Sequence, residues 1–347
     1  MMLFFNNGGD AATTLILPKN ETVPAVFVFG DSIVDSGNNN YIETIVKANF
    51  PPYGRDFFGG RPTGRFSNGK VPSDLIAELF GVKELLPAYL SPNLQLQDFV
   101  SGVSFASGGS GYDPLTSQIV SVLSLTDQLK MFKRYIKRIK LEVGDDKTQT
   151  ILLKSIYMLC IGSDDIANTY YSTPFRRFQY DVPAYTDLMV NSATSFLKGL
   201  YGLGARRIGV VSVPAIGCVP SQRILGGGIE RRCSEDSNNA AHLFNSKLYL
   251  EMDSINRKFP DARLVYLDIF NPLLSLIQNP SKYGFEVVDK GCCGTGNLEV
   301  GILCNPFTAT SCANASKYIF WDSYHPSQQA YKVLNSLVFD KNIHKFF

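Results

Sequence analysis

Val26-Phe27-Val28-Phe29-Gly30-Asp31-Ser32-Ile33-Val34-Asp35-Ser36-Gly37-Asn38-Asn39-Asn40 is the stretch from which the fold can be read. Val26 to Phe29 is an unbroken β-branched and aromatic run, too apolar for an edge strand facing water and short enough for a strand buried on both faces. It stops on Gly30, which permits a sharp turn. Asp31 and Ser32 then emerge at the strand's carboxyl end, where open α/β sheets carry their ligands. A serine there is a candidate nucleophile and equally a candidate helix cap, and the stretch alone leaves both readings open.

Working outward, 99–106, 151–161, 206–214 and 262–269 are further apolar runs that predict strands. Helical spacing predicts helices over 71–80, 118–143, 183–203 and 235–259, the second of them with a basic face that reads as a solvated surface. Strands alternating with helices at this spacing imply a parallel sheet covered on both faces, an α/β fold with three α/β/α layers. Between the first strand and 71–80 the chain is rich in Gly and Pro, from Pro51-Pro52-Tyr53-Gly54-Arg55 to Gly64-Arg65-Phe66-Ser67-Asn68-Gly69-Lys70. That composition predicts a long irregular loop, either the wall of a cleft beside Ser32 or a surface excursion.

Near the other end stands Trp321-Asp322-Ser323-Tyr324-His325-Pro326. Residues three apart in a tight turn can meet, so Asp322 can hold the His325 imidazole in one tautomer with its other nitrogen facing outward. Pro326 suits the first position of a helix through 328–334, which would set His325 at a helix N-terminus. The helix dipole there disfavours imidazolium while Asp322 favours it, a balance that suits a base working near neutral pH. The other two histidines are weaker candidates. His242 falls in a helical pattern as a structural residue, and His344 lies in a basic tail expected to fray.

The net charge is +2, from 33 basic and 31 acidic residues, which gives no electrostatic footprint for nucleic acid or an anionic membrane. No stretch approaches the length of a membrane span. Six of the seven cysteines (Cys218, Cys233, Cys292, Cys293, Cys304, Cys312) fall in loop-like sequence, and Cys160 falls in an apolar run. Three loop disulfides and one buried free thiol are expected, with Cys218 to Cys233 the simplest local bridge and a zinc site the rival reading. The sequons at Asn20 and Asn314 agree with an oxidising compartment. Residues 1–23 read as a polar leader that need not be ordered, too poor in apolar residues for a signal peptide, so a truncated start is expected.

Gly30-Asp31-Ser32 and Asp322-x-x-His325-Pro326, with Ile166-Ala167-Asn168-Thr169-Tyr170 and Gly291-Cys292-Cys293-Gly294-Thr295-Gly296 between them, resemble the plant GDSL esterases and lipases, or SGNH hydrolases, of the extracellular-lipase branch. The resemblance implies a flavodoxin-like fold in one domain over 24–347. It implies hydrolysis of carboxylic esters, lipid esters included, through an acyl-enzyme on Ser32 with His325 as base and Asp322 orienting it, without metal or cofactor. A secreted monomer acting on a small-molecule or lipid ester is expected, with neither nucleic acid nor stable membrane insertion. The family's oxyanion donors map to the backbone N–H of Ser32 and of a glycine, Gly108 with Gly109 as fallback. The third donor departs from the pattern. Where the family's third block has Gly-x-Asn-Asp this chain has Gly162-Ser163-Asp164-Asp165, and an ionised carboxylate has no proton to donate. Either Asp164 is held protonated, or Asn168 or another group replaces it, or the enzyme is weak. Acyl transfer through the same intermediate and a secreted binding protein are the alternative functions.

Overall fold

The computed structural model describes residues 21–294, 304–305 and 310–347. Four parallel strands, β1 (Val26–Gly30), β2 (Ile156–Cys160), β3 (Arg207–Val211) and β4 (Arg263–Leu267), lie side by side in that order. On the outer flank of β1 residues 103–105 run parallel to it, with the Val28 N–H donating to the Val103 carbonyl at 3.3 Å and the Phe105 N–H to that of Val28 at 2.7 Å. From β1 the chain therefore crosses to one side, and from 103–105 it crosses back past β1 to β2. The spatial order is flavodoxin-like, and the crevice beyond the carboxyl end of β1 is its topological switch point.

Side chains alternate across the sheet with the period of two that strands impose. Phe27 and Phe29 join Tyr157, Leu159 and Ile208 against helices Leu125–Val143, Val182–Gly202 and Glu235–Lys258. Val26 and Val28 face the other way, with Ile156, Met158 and Val265, toward helix Pro72–Leu79 and the C-terminal helix Gln328–Asn342. These two cores are the inner surfaces of the expected α/β/α layers.

Several expected boundaries move. Residues 96–101 are helical (Leu96–Ser101), and only 103–105 extend along the sheet. Gly102 makes the junction at φ 97°, its Cα so close to β1 that a Cβ would lie 2.0 Å from the Val26 carbonyl oxygen. Residues 151–154 end helix Asp145–Lys154 before β2 starts. The 118–143 pattern divides into a short helix, Pro114–Ile119, and the helix Leu125–Val143, which Ser124 caps in a reciprocal box with Asp127. In both mistaken strands a buried helical turn abuts the next extended segment, so the apolar run is continuous although the backbone is not. The C-terminal tail is docked, with Phe346 fully buried and Phe347 under the Arg207 guanidinium at 4.7 Å. At the other end Glu21 pairs with Arg207 at 2.7 Å, so 21–23 of the expected leader 1–23 pack with the folded unit, while its residues 1–20, with Asn20, lie outside the described residues. No described helix is long and apolar enough to cross a membrane.

Three disulfides close, Cys218–Cys233, Cys292–Cys312 and Cys293–Cys304, and Cys160 is free but half-buried. The adjacent pair Cys292-Cys293 is also laced by backbone to the segment before Asp322, the Cys292 N–H donating to the Phe320 carbonyl at 3.0 Å. With its ends 20 positions apart in sequence, the Cys292–Cys312 bridge contributes about 3 kcal/mol by restricting the unfolded chain. Cys292→Ser/Cys312→Ser is expected to lose about that much stability in urea titrations under oxidising conditions. An unchanged midpoint would show that the bridge constrains nothing.

Candidate active site

The site begins where β1 ends. Gly30 has φ 145°, and a Cβ there would sit 1.9 Å from the Cys160 carbonyl oxygen, so the turn excludes every other residue. Gln128 anchors the turn. Its buried amide donates to the Gly30 carbonyl and accepts from the Gly30 N–H, each at 2.9 Å, reproducing the pairing of a neighbouring strand. The Asp31 carboxylate accepts from the Ile33 N–H at 3.0 Å, so Asp31 caps the turn and the Ser32 hydroxyl is left for other contacts.

Ser32 Oγ lies 2.7 Å from His325 Nε2, and His325 Nδ1 lies 2.8 Å from Asp322 Oδ2. Asp322 also accepts from the Tyr53 hydroxyl at 2.7 Å and from the Tyr324 and His325 N–H groups at 2.9 and 2.7 Å. Burial alone would raise the Asp322 carboxyl. The neighbouring His325 ring and these hydrogen bonds outweigh it and hold the group below the usual carboxylate range. Pro326 lies two places before the position expected of it. Ser327 is the N-cap of the C-terminal helix, accepting from the Ala330 N–H, and Pro326 precedes it. Of the other histidines, His242 is exposed on its helix rather than built into the core, and His344 is exposed on the docked tail.

The Gly- and Pro-rich loop proves to be a wall of the site. Phe66 packs against the His325 ring with its plane tilted by 35° and the ring centres 5.1 Å apart, the Ser67 hydroxyl donates to the Pro326 carbonyl at 3.2 Å, and Asn68 Oδ1 accepts from the Gln328 N–H at 2.9 Å. Arg65 holds the loop to helix Pro72–Leu79 by a buried two-pronged pair with Asp74, both contacts 2.7 Å. Sequence reasoning missed Gln128, Tyr53 and Arg65 as members of the site. Gln128 carried a signal, being a polar residue in phase with the apolar stripe of Leu125, Phe132, Tyr135 and Ile139. Nothing local marks Tyr53, whose partner is 269 residues away.

The amides around Ser32 differ in their partners. The Gly108 N–H donates to Asp35 Oδ2 at 3.0 Å, and Asp35 accepts from the Gly37 and Asn38 N–H groups as well. Gly108 owes its glycine identity to the Phe66 ring, 2.7 Å from where a Cβ would be. Gly109, at φ 87°, lines the cavity with Ser32, and among the described residues neither amide has a hydrogen-bond partner. Asp164 also faces this cavity. Its carboxylate accepts from Asn168 Nδ2 at 2.6 Å, a contact made by a π-helical turn, Asp165–Tyr170, and the Tyr324 hydroxyl donates to Asn168 Oδ1 at 3.1 Å. Burial pushes the Asp164 carboxyl up from 3.8 to about 6, against the pull of His325 and Asn168. Asp31, fully buried next to it, is raised by burial and then by the Asp164 charge.

Ser32, His325, Asp164 and Gly109 open onto one cavity of about 360 Å³, otherwise lined mainly by aliphatic and aromatic side chains. A hydroxyl within reach of an imidazole, with that imidazole held by a carboxylate, is an arrangement that can serve as a nucleophile and its base. No group of His, Cys, Asp and Glu among the described residues has the makings of a metal site, and the six loop cysteines are bridged rather than free to ligate zinc.

A family model described as GDSL-like Lipase/Acylhydrolase matches residues 26–338. The Arabidopsis thaliana protein named GDSL esterase/lipase EXL3 is 52% identical over 337 residues, covering 97% of this chain and 92% of the relative. The A. thaliana GDSL esterase/lipase EXL2 is 47% identical over 340 residues, covering 94% and 90%.

Proposed function

The chain belongs to the GDSL-like lipase/acylhydrolase family, and on that premise we propose that it is a carboxylic ester hydrolase working through an acyl-enzyme on Ser32. One observation carries the reading, the unbroken contact chain from Ser32 Oγ through His325 to Asp322 at the mouth of an apolar cavity. Ser32 Oγ attacks the ester carbonyl while His325 Nε2 takes its proton. The C–O bond to the alcohol then breaks, and His325 returns the proton to the departing alkoxide. Water repeats the sequence, releasing the acid and restoring Ser32. The oxyanion is met by the amides of Ser32 and Gly109. The three disulfides and the exposed Asn314 in its sequon support a secreted, glycosylated protein.

Asp164 serves as the third oxyanion donor while it is protonated. With its proton held to about 6, the carboxyl can donate an O–H in acid and becomes a repelling anion above that pH. Below about pH 4 folded and unfolded chains both keep this proton. Between about pH 4 and 6 the unfolded chain has lost the proton that the folded chain still holds, so stability falls as pH rises, by about 3 kcal/mol once pH exceeds 6.

The test is p-nitrophenyl acetate hydrolysis by wild type and Asp164→Asn. The asparagine variant is expected to exceed wild type in kcat by about 100-fold at pH 8 and by less than about threefold at pH 5. Its midpoint of unfolding rises at pH 8 alone. An advantage independent of pH would refute the donor role of the protonated carboxyl. An inert wild type at both pH values beside an active Asp164→Asn would make the protein a binder whose catalysis this carboxylate has silenced.

A further inference from the structure

The cavity does not stop at Ser32. It continues under the C-terminal helix, where Tyr331, Leu334, Asn335, Val338 and Phe339 line it. Those positions recur at intervals of three and four, so they form one face of the helix, the face that would ordinarily close onto the sheet. Opposite them lie Val34 after β1, Met158 and Cys160 on β2, Val211 on β3 and Ile269 after β4. Helix–sheet interfaces are normally packed to the density of organic crystals. Here an apolar space persists between the layers and is continuous with the hydroxyl of Ser32. Apolar cavities that exclude water accept apolar ligands.

We propose that this space is an internal acyl channel, in which the alkyl chain of the ester passes from Ser32 across the sheet face beneath the C-terminal helix. The inference rests on the esterase reading and narrows it to esters of medium-length, unbranched acids. The helix gives the length. It runs from Ser32 at the carboxyl end of β1 toward Arg207 at the amino end of β3, and its eight-residue advance from Tyr331 to Phe339 spans about 12 Å, room for an extended chain of about ten carbons. In this proposal the buried lining residues Ile76, Val338 and Phe339 close the channel, and a much longer chain has to leave carbons outside. Leu334 and Val338 set this limit through the width they leave.

Two measurements test the channel. The first is the ratio of kcat/KM for p-nitrophenyl decanoate to that for the acetate, with palmitate as the overlong member, in wild type, Leu334→Trp and the milder Val338→Leu. Decanoate is expected to be favoured over both acetate and palmitate in wild type. The decanoate-to-acetate ratio is expected to fall at least tenfold in Leu334→Trp and about threefold in Val338→Leu, which adds a single carbon. The second is calorimetric titration of decanoic acid into Ser32→Ala and into Ser32→Ala/Leu334→Trp, with circular dichroism to verify folding. Saturable binding by the first and none by the second supports the channel whatever the turnover. If wild type hydrolyses acetate with no preference for decanoate, and decanoic acid binds both proteins alike, the channel is refuted and the esterase stands. If no ester is hydrolysed but decanoic acid binding depends on Leu334, the esterase reading falls and the channel stands.

Discussion

Ser32→Ala is expected to lower kcat for p-nitrophenyl acetate by about a millionfold, to the level left by binding and the oxyanion amides alone. The size of the effect follows from the geometry. Ser32 Oγ is the hydroxyl bonded to His325 Nε2, and it projects from a turn whose backbone is held by Gln128 and the Cys160 carbonyl rather than by the serine side chain. The substitution removes the attacking atom and leaves the turn intact. Stability should therefore stay within about 0.5 kcal/mol of wild type. A fluorophosphonate probe, which labels activated serines, is expected to bind wild type and not the variant. Retention of even one part in a hundred of the activity by Ser32→Ala would assign the nucleophile elsewhere.

Asp322→Asn is expected to cost about 10⁴-fold in kcat with little loss of stability. Every group that approaches Asp322 is a donor: the Tyr53 hydroxyl, the Tyr324 and His325 N–H groups, and His325 Nδ1. An asparagine can turn its carbonyl oxygen toward the two backbone N–H groups, but its NH₂ then meets Tyr53 and Nδ1. Tyr53 can rotate its hydroxyl to accept. The imidazole can adapt only by moving its proton to Nε2, and an Nε2 that carries a proton cannot take one from Ser32. Near-wild-type turnover by Asp322→Asn, with fluorophosphonate labelling at an unchanged rate, would mean that His325 is oriented by some other group.

Legibility depended on how local each interaction is. The turn from Asp322 to His325 could be read because its contact spans three residues, and β1, β3 and β4 could be read because their apolar runs end at glycine, proline or charge. The runs at 99–106 and 151–161 each fuse a buried helical turn to an extended segment, and burial looks the same in both. Gly108 and Gly109 could not be separated from composition. Asp35, which takes the Gly108 N–H, is the reason the proposal turns to Gly109. Gln128, Tyr53 and Arg65 act through partners distant in the chain, and no spacing rule reaches them.

Ser32 and His325 are 293 residues apart, and their meeting has a consequence in time. At about 5–20 residues per second, roughly 15–60 s of synthesis separate the proposed nucleophile from its proposed base. The sheet from β1 to β4 can form while the C-terminal segment is still missing, but a chain in that state has a serine with nothing to take its proton. Hydrolytic power then arrives as one of the last events of folding, when the final helix docks and brings His325 to the sheet. On this reading a nascent chain is inert toward the esters around it until the helix that follows His325 has been made and has docked.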